Sequence, residues 1–144
     1  MIDVNYSLRI AYQTALNECV AGVPAFYGAV PGTVSPDTYI VFRSITNIDA
    51  STMNSSDTDT TITVEIQTWT DGSNSGLTSD LIAREVFNRV LPNPSGILTA
   101  DGMQIISTRL LNDVSPPPIS QANRVYQSRV LTFGHKIYLR SDIS

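Results

Sequence analysis

The chain has 144 residues and a mass of 15.7 kDa, and this length predicts one domain, residues 1–144, whose core forms without disulfides. A single cysteine and a single histidine exclude an internal disulfide, a zinc site built from several cysteines and a metal site built from a histidine pair. The net charge of −4, with Lys136 as the one lysine, disfavours sequence-independent binding of nucleic acid, because gripping phosphates requires a basic surface.

The N-terminal sequence carries an early acidic residue, Asp3, and has no apolar run of the kind found in secretory signals. No stretch reaches the ~20 apolar residues of a membrane-spanning helix. We therefore expect a protein that is made and folded in a cytoplasm and has no membrane partner, and the lone Cys19 agrees with a reducing compartment.

The first part of the chain predicts a helix followed by strands. Apolar side chains recur every three or four positions over residues 4–20, as on one face of a helix. A short strand at 25–27 and a loop dense in glycine and proline at 28–37 follow. Residues 39–46 predict a strand that begins apolar on both faces, which is typical of a central or doubly covered strand.

A polar segment and a regular strand come next. Residues 47–59 are too polar to pack against a core, and we interpret them as a long, projecting hairpin tip. In residues 60–70, Ile62, Val64 and Ile66 alternate with polar residues, which is the pattern of a half-buried strand.

Residues 77–91 carry a broad apolar stripe and predict a second helix. Within it, Asp80 and Arg84 have the four-residue spacing of a stabilising ion pair. Proline at position 92 ends this helix, because proline removes a backbone donor.

The last part of the chain predicts two strands, residues 103–114 and 124–140, joined by a stiff connector at Pro116–Pro118. Gly134 marks a bend or bulge in the second of them. The order of helices and strands, with short connections between strand pairs, predicts an α+β fold. We expect a mainly antiparallel twisted sheet with the two helices packed on one face and a long hairpin loop projecting.

Few residues offer chemistry. His135 lies in mid-strand and no nucleophile elbow exists in the sequence, so we interpret it as a histidine with a structural hydrogen bond. Cys19 lies near the apolar stripe of the first helix, which indicates a buried, inert thiol. Asp57 and Asp59 have polar neighbours and lack the spacing of a calcium loop, which favours a solvated segment. We therefore predict no catalytic, cofactor-binding or metal-binding residues and no enzyme activity.

The order of these segments resembles that of the tail-terminator or tail-completion proteins of long-tailed bacteriophages. After the N-terminal helix and the glycine- and proline-rich loop, residues 36–42 (Pro-Asp-Thr-Tyr-Ile-Val-Phe) resemble a strand opening of that family. Residues 62–70 resemble its strand that ends in an aromatic residue and a threonine or serine. The helix at 77–91 and the strand at 124–140, with Tyr126, resemble its second helix and its long final strand.

This resemblance spans residues 4–140 and departs at 47–59 and at the run of three prolines. It implies a structural virion protein that forms a homo-oligomeric ring, usually of six subunits, at the neck where head and tail join. Such a ring caps the tail tube protein, ends its polymerisation and offers an interface to the head-closure or connector protein. It further implies that DNA passes through the lumen without specific binding, in a virion assembled in the host cytoplasm.

The acidity of the chain agrees with such a ring, since six copies of a chain with net charge −4 would carry −24 and an acidic lumen repels DNA. The acidic residues expected to face the lumen are Asp49, Asp57, Asp59 and Asp71. We expect contacts between subunits to use the hairpin tip and the edge of the last strand, because a ring needs head-to-tail surfaces that close. The residues expected in these contacts are Asp49, Ser51, Met53, Asn54, Asp57, Asp59, Arg124 and Arg129.

Two alternatives stay open. The chain could be another neck or tail ring component, such as a head-closure protein or a tube subunit. A tube subunit would polymerise alone into long tubes, whereas a terminator stops at one ring. A small ligand-binding domain or enzyme with a pocket under the two helices is the other class, for which the sequence offers no convergent set of polar residues.

Overall fold

The structure is a computed structural model that describes residues 4–29, 37–49, 57–70, 75–91, 103–121 and 123–139. The elements of this part of the chain are α1 (Val4–Leu16), β1 (Ala25–Tyr27), β2 (Thr38–Asp49), β3 (Asp57–Thr70), α2 (Ser75–Val90), β4 (Met103–Val114), β5 (Ile119–Gln121) and β6 (Arg124–Leu139). The predicted α+β fold is confirmed. Neither of these helices is long and apolar enough to cross a membrane.

The strands form one sheet in the order β1-β2-β3-β6-β4, and β5 pairs with β6 beyond the end of β4. β1 runs parallel to β2, and the other pairings of these strands are antiparallel. β6 therefore lies inside the sheet, with β3 along one side and β4 and β5 along the other. The expectation that the last strand offers an edge to a neighbouring subunit is wrong, because strands of the same chain occupy both of its sides. Among the described strands, β1 lies at one edge of the sheet, and β4 and β5 lie at the other.

Alternate residues of the inner strands point toward the face on which both helices pack. On β3, Ile62, Val64 and Ile66 are at most 3% exposed, and the register places Val64 between Phe42 of β2 and Leu131 of β6. α1 packs over β1 and β2, α2 packs over β3 and β6, and the helices contact each other. The predicted placement of both helices on one face is confirmed, and the hydrophobic core fills the space between them and the sheet.

α1 ends four residues earlier than the apolar spacing predicts. The chain leaves the helix after Leu16, and Glu18 adopts a positive φ of 55°, which ends regular helical geometry. Cys19 and Val23 are nevertheless buried in the turn that follows. The apolar pattern therefore continues past the helix because the turn itself packs against the core.

The ladder between β2 and β3 continues into the segment predicted as a hairpin tip. Asn47 pairs with Thr60, and Asp49 at the end of β2 pairs with Thr58 of β3. Residues 50–56 lie outside the described residues, so the projecting tip stays a prediction. β5 is an addition to the predicted elements, because three residues are too few to show an alternating pattern.

The sequence predicts a bend or bulge at Gly134 of β6. In the structure the irregularity lies on the neighbouring strand β4, which bulges next to Gly134. The register between β4 and β6 shifts twice, at Ile106 and at Leu111. A Cβ atom on Gly134 would lie 3.0 Å from Cδ1 of Leu111. Glycine at this position therefore leaves room for the side chain of the bulged leucine.

Candidate functional site

The one histidine of the chain is part of the core. His135 of β6 is 2% exposed, its Nε2 is hydrogen-bonded to the hydroxyl of Tyr12 on α1, and its Nδ1 lies 2.9 Å from Oγ1 of Thr108 on β4. Burial lowers the pKa of His135 to about 4, so the ring is neutral at pH 7. The interpretation of His135 as a histidine with a structural hydrogen bond is confirmed, and both ring nitrogens are already engaged.

The remaining candidates for chemistry give no site in the described part of the chain. Cys19 is buried, and burial raises the pKa of its thiol, so it is a poor nucleophile, as predicted. Within the described ranges, no group of three or more His, Cys, Asp or Glu side chains has the arrangement of a metal site.

Arg129, predicted at a subunit interface, is bound within the chain on the helix-covered side of the sheet. Its Nε and Nη2 donate to the two carboxylate oxygens of Asp113 at 3.0 and 2.7 Å, and its Nη1 donates to Asp80 at 2.9 Å. The guanidinium also lies 5.6 Å from the ring centroid of Phe87. The predicted pair of Asp80 with Arg84 is wrong, because the Asp80 carboxylate meets Arg129 instead. A role of Arg129 in subunit contacts stays a prediction.

The opposite face of the sheet carries a row of aromatic residues and no described helix. We define the aromatic band as Phe26 of β1, Tyr39 of β2, Trp69 of β3 and Tyr126 of β6. Each is partly buried by its neighbours. The ring centroids lie 6.5 Å apart for Phe26 and Tyr39 and 4.9 Å apart for Trp69 and Tyr126. These contacts hold the rings in fixed positions on a face that no helix of the described residues covers.

A polar chain runs through the middle of the aromatic band. The hydroxyl of Tyr39 donates to Oε1 of Gln67, and Nε2 of Gln67 donates to Glu65 at 2.7 Å. Partial burial, together with the nearby Glu65 carboxylate, raises the pKa of Tyr126 to about 12 and also raises the pKa of Tyr39. Both tyrosines therefore keep their hydroxyl protons as donors at neutral pH.

Arg124, another predicted interface residue, lies at the rim of the aromatic band. Its guanidinium is 5.5 Å from the ring centroid of Trp69, and its Nη2 lies 2.5 Å from Oδ1 of Asp37. The side chains of Arg124 and Asp37 are 46% and 71% exposed, so this pair is solvated and contributes little to stability. Arginine and aromatic residues at a half-buried surface are typical of protein–protein interfaces.

The outer strand β4 and the residues after it form an exposed apolar edge. From Arg109 to Ser120 every residue is exposed. This stretch includes the bend Ser115–Pro118, which we call the proline bend. Large apolar side chains that are between 38% and 57% exposed on this edge are Ile106, Leu110, Leu111, Val114 and Ile119.

The remaining predicted residues lie at the opposite end of the sheet or outside the described residues. Asp59 lines a groove of about 380 Å³ together with Arg109 and Lys136, so both signs of charge meet there. Asp49 ends β2 and Asp57 begins β3 at the same end. Ser51, Met53, Asn54 and Asp71 lie outside the described residues.

Sequence reasoning missed the aromatic band and the apolar edge. Trp69 occupies the polar side of the alternating strand at 60–70, and an aromatic residue on that side is the signal that the second face is also used. The edge could not be found, because no local pattern shows that β4 lies at the outside of the sheet. The positions of both became apparent from the strand order.

No protein-family model matches this chain, and no curated protein matches its sequence. Among solved structures, the fold is similar to that of a chain from the virion of a native gene transfer agent particle. The TM-score is 0.63 at 16% sequence identity, and the match covers 92% of this chain and 98% of that chain. At this level of identity the likeness establishes a shared fold.

Proposed function

We propose that the chain is a structural virion protein of a tailed bacteriophage or a phage-like particle. The observation that carries this proposal is the similarity of fold to a chain of a gene transfer agent virion, which extends over nearly the whole of both chains. The order of helices, loops and strands in the sequence, which resembles phage tail terminators, supports the same class of particle. A building part of a virion needs contact surfaces rather than a reactive centre.

Within this class we favour a tail terminator, a ring of six copies that caps the tail tube at the neck. Such a ring ends polymerisation of the tube and presents a surface to the head-closure or connector protein. The resemblance over residues 4–140 supports this role, and so does the net charge of −4 per copy, which suits a lumen that DNA crosses without being held. Asp59 is exposed and remains our strongest candidate for a lumen-facing carboxylate.

The edge of β4 is the surface that we propose for self-association, in place of β6. It is a 12-residue outer strand with exposed apolar side chains on both faces of the sheet. Such an edge presents backbone groups that can pair with another strand, and a monomeric protein normally blunts it with charge or covers it. β4 carries Arg109 and Asp113, but Asp113 is neutralised by Arg129 within the chain.

The proposal is tested by immunogold electron microscopy of virions from the strain whose genome encodes the chain. A terminator gives one patch of label at the joint between head and tail. Label along the whole tail would identify a tube subunit. Absence of label on the virions would show that the protein is not part of the particle and would contradict the proposal.

Negative-stain microscopy and light scattering of the purified chain provide a second measurement. Closed rings of six times the 15.7 kDa chain mass would agree with the terminator. Open tubes of indefinite length would favour the tube subunit, because a terminator stops at one ring. The exposed β4 edge is compatible with a closed ring and with a long tube. The length of the assembly therefore distinguishes a terminator, which stops at one ring, from a tube subunit, which continues to polymerise.

An enzyme is the weaker alternative for a specific reason. The one histidine has both ring nitrogens engaged in the core, at Tyr12 and Thr108, and the one cysteine is buried with a raised pKa. Neither group is placed to act as a base or nucleophile toward a molecule bound at the surface.

A further inference from the structure

The proline bend is an exposed, stiff segment that interrupts the pairing along one side of β6. β4 stops pairing at Val114, which lies opposite Val130, and β5 resumes at Ile119, opposite Tyr126. The bend between them, Ser115–Pro118, is exposed throughout. Prolines lack a backbone donor and hold an extended polyproline conformation, so they lose little freedom when they bind.

The aromatic band has the chemistry that binds such a segment. Grooves that recognise proline-rich segments are lined by tyrosine and tryptophan, whose flat rings pack against proline rings, while hydroxyl and indole N–H groups donate to proline carbonyls. The band supplies Tyr39, Trp69 and Tyr126 on one face, and the contacts of Tyr39 with Phe26 and of Trp69 with Tyr126 fix the rings before a partner arrives. Preorganised, half-buried aromatic residues are the usual centre of an interface.

We propose that the proline bend of one copy of the chain docks on the aromatic band of a second copy. The bend lies along the β4 and β5 side of the sheet, whereas the band reaches across one face from Tyr126 of β6 to Phe26 on the opposite outer strand. A contact between two different surfaces of identical chains is head-to-tail, and such contacts propagate and can close into a ring.

The bend lies beside Tyr126 at one end of the band of its own chain, but its exposed residues do not cover the centre of the band. The bend is exposed to solvent, and it lies two strands away from Gln67 at the centre of the band, a lateral separation of about 10 Å. An acceptor on another copy is therefore required. The inference rests on the proposed function for the number of copies in the ring, and the contact itself is tested separately.

The test is a disulfide cross-link between copies of the full chain. The double variant Pro117→Cys/Gln67→Cys places one thiol on the bend and one in the band, at a separation too large for a bond within one chain. Under mild oxidation we expect a ladder of covalent dimers, trimers and larger species, because each copy has one donor and one acceptor. The ladder should exceed that of the control by at least about tenfold, reflecting the high effective concentration at a specific contact.

The control is the double variant Pro117→Cys/Thr14→Cys, in which the second thiol lies on the exposed side of α1. Cys19 is buried and common to both variants, so any cross-link through it appears equally in each. Equal ladders in the two variants, products that stop at dimers, or no cross-link would each overturn the inference. If immunogold still labels the head–tail joint in that case, the proposed function stands and the contact between copies uses another surface.

Trp69, the one tryptophan of the chain, provides an independent measurement. A synthetic peptide of residues 113–121 is added to the Pro117→Ser variant, and the emission of Trp69 is recorded. We expect a saturable change, with binding at least about tenfold weaker when alanines replace the three prolines or when Tyr39→Ala is introduced into the protein. The docking is contradicted if the emission of Trp69 does not change when the peptide is added, or if it changes equally with the alanine peptide.

Discussion

The hydroxyl of Tyr12 and Nε2 of His135 form a hydrogen bond that joins residues 123 positions apart in the chain. Tyr12 lies on α1 and His135 on β6, and the second ring nitrogen of His135 contacts Thr108 on β4. The imidazole therefore links a helix to two neighbouring strands inside the core. Because the ring is desolvated, its neutral form is the one compatible with the fold.

Stability should fall as the pH decreases from 7 to 5. The pKa of His135 is lowered to about 4 in the folded chain and is near 6.5 when unfolded, so the unfolded state binds a proton first. The stabilising effect is present above pH 6.5 and is lost as the pH falls toward 4. We expect the free energy of unfolding to drop by about 2 kcal/mol between pH 7 and 5. Urea unfolding followed by Trp69 fluorescence measures this difference.

The matched variant for that measurement is His135→Gln, which keeps a donor and an acceptor but does not titrate. Its unfolding free energy should be lower at pH 7 and nearly flat over the same range. A pH dependence equal to that of the original chain would assign the effect to other groups.

Removing the carboxylate of Asp113 should cost more than removing that of Asp80. Both bind Arg129, but Asp113 does so with two oxygens and its side chain is 32% exposed, against 68% for Asp80. We expect Asp113→Ala to lower the unfolding free energy by about 1 kcal/mol and Asp80→Ala by less than about 0.5 kcal/mol. Equal effects in chemical denaturation would contradict the two-point geometry.

The bulged Leu111 and Gly134 should be energetically coupled. The Cβ atom of Gly134→Ala would press on Leu111, but this leucine is 48% exposed and can turn outward. We expect the single substitution to cost less than about 1 kcal/mol. In a Leu111→Ala background the cost should disappear, and a double-mutant cycle should give a coupling of about 0.5 kcal/mol or more. Additive effects would show that the contact carries no energy.

A charge on the β4 edge should weaken self-association without unfolding the chain. Ile106→Lys changes a residue that is 39% exposed on the outer strand, and Ile10→Lys changes one that is 48% exposed on α1. Because lysine on an edge strand disfavours pairing with another chain, sedimentation should detect weaker assembly for the first variant and unchanged assembly for the second. Weaker assembly of Ile10→Lys together with unchanged assembly of Ile106→Lys would indicate that the contact between copies uses the surface of α1 instead.

The helices and long strands could be predicted because their residues repeat with the period of the element. Ile62, Val64 and Ile66 alternate with polar residues along β3, which has one buried face. This two-residue period identifies the strand even when its partner strands are unknown. The end of α1 could not be predicted, since Cys19 and Val23 are as buried as residues inside the helix. These two residues are buried in the turn that follows the helix. Apolar spacing alone cannot distinguish such a buried turn from a further turn of helix.

Contacts between distant residues account for the other differences. Asp80 and Arg84 have the spacing of an ion pair, yet Arg129 from β6 reaches Asp80, and no pattern within α2 indicates it. The position of β6 between β3 and β4 likewise depends on pairing across the chain, so the edge available for assembly was assigned to the wrong strand. Local sequence determines elements, whereas strand order determines which surfaces remain open.

The central position of β6 also affects how the protein is made. β3 has its second partner only when residues 124–139 are available, so a nascent chain on the ribosome holds β2 and β3 with an unpaired side until β6 has been made. Pairing over such sequence distances is slow, and it follows the emergence of residues 124–139 from the exit tunnel. A chain truncated before β6 lacks the strand that joins β4 to the sheet, so only translation products that include β6 present the β4 edge in its folded form.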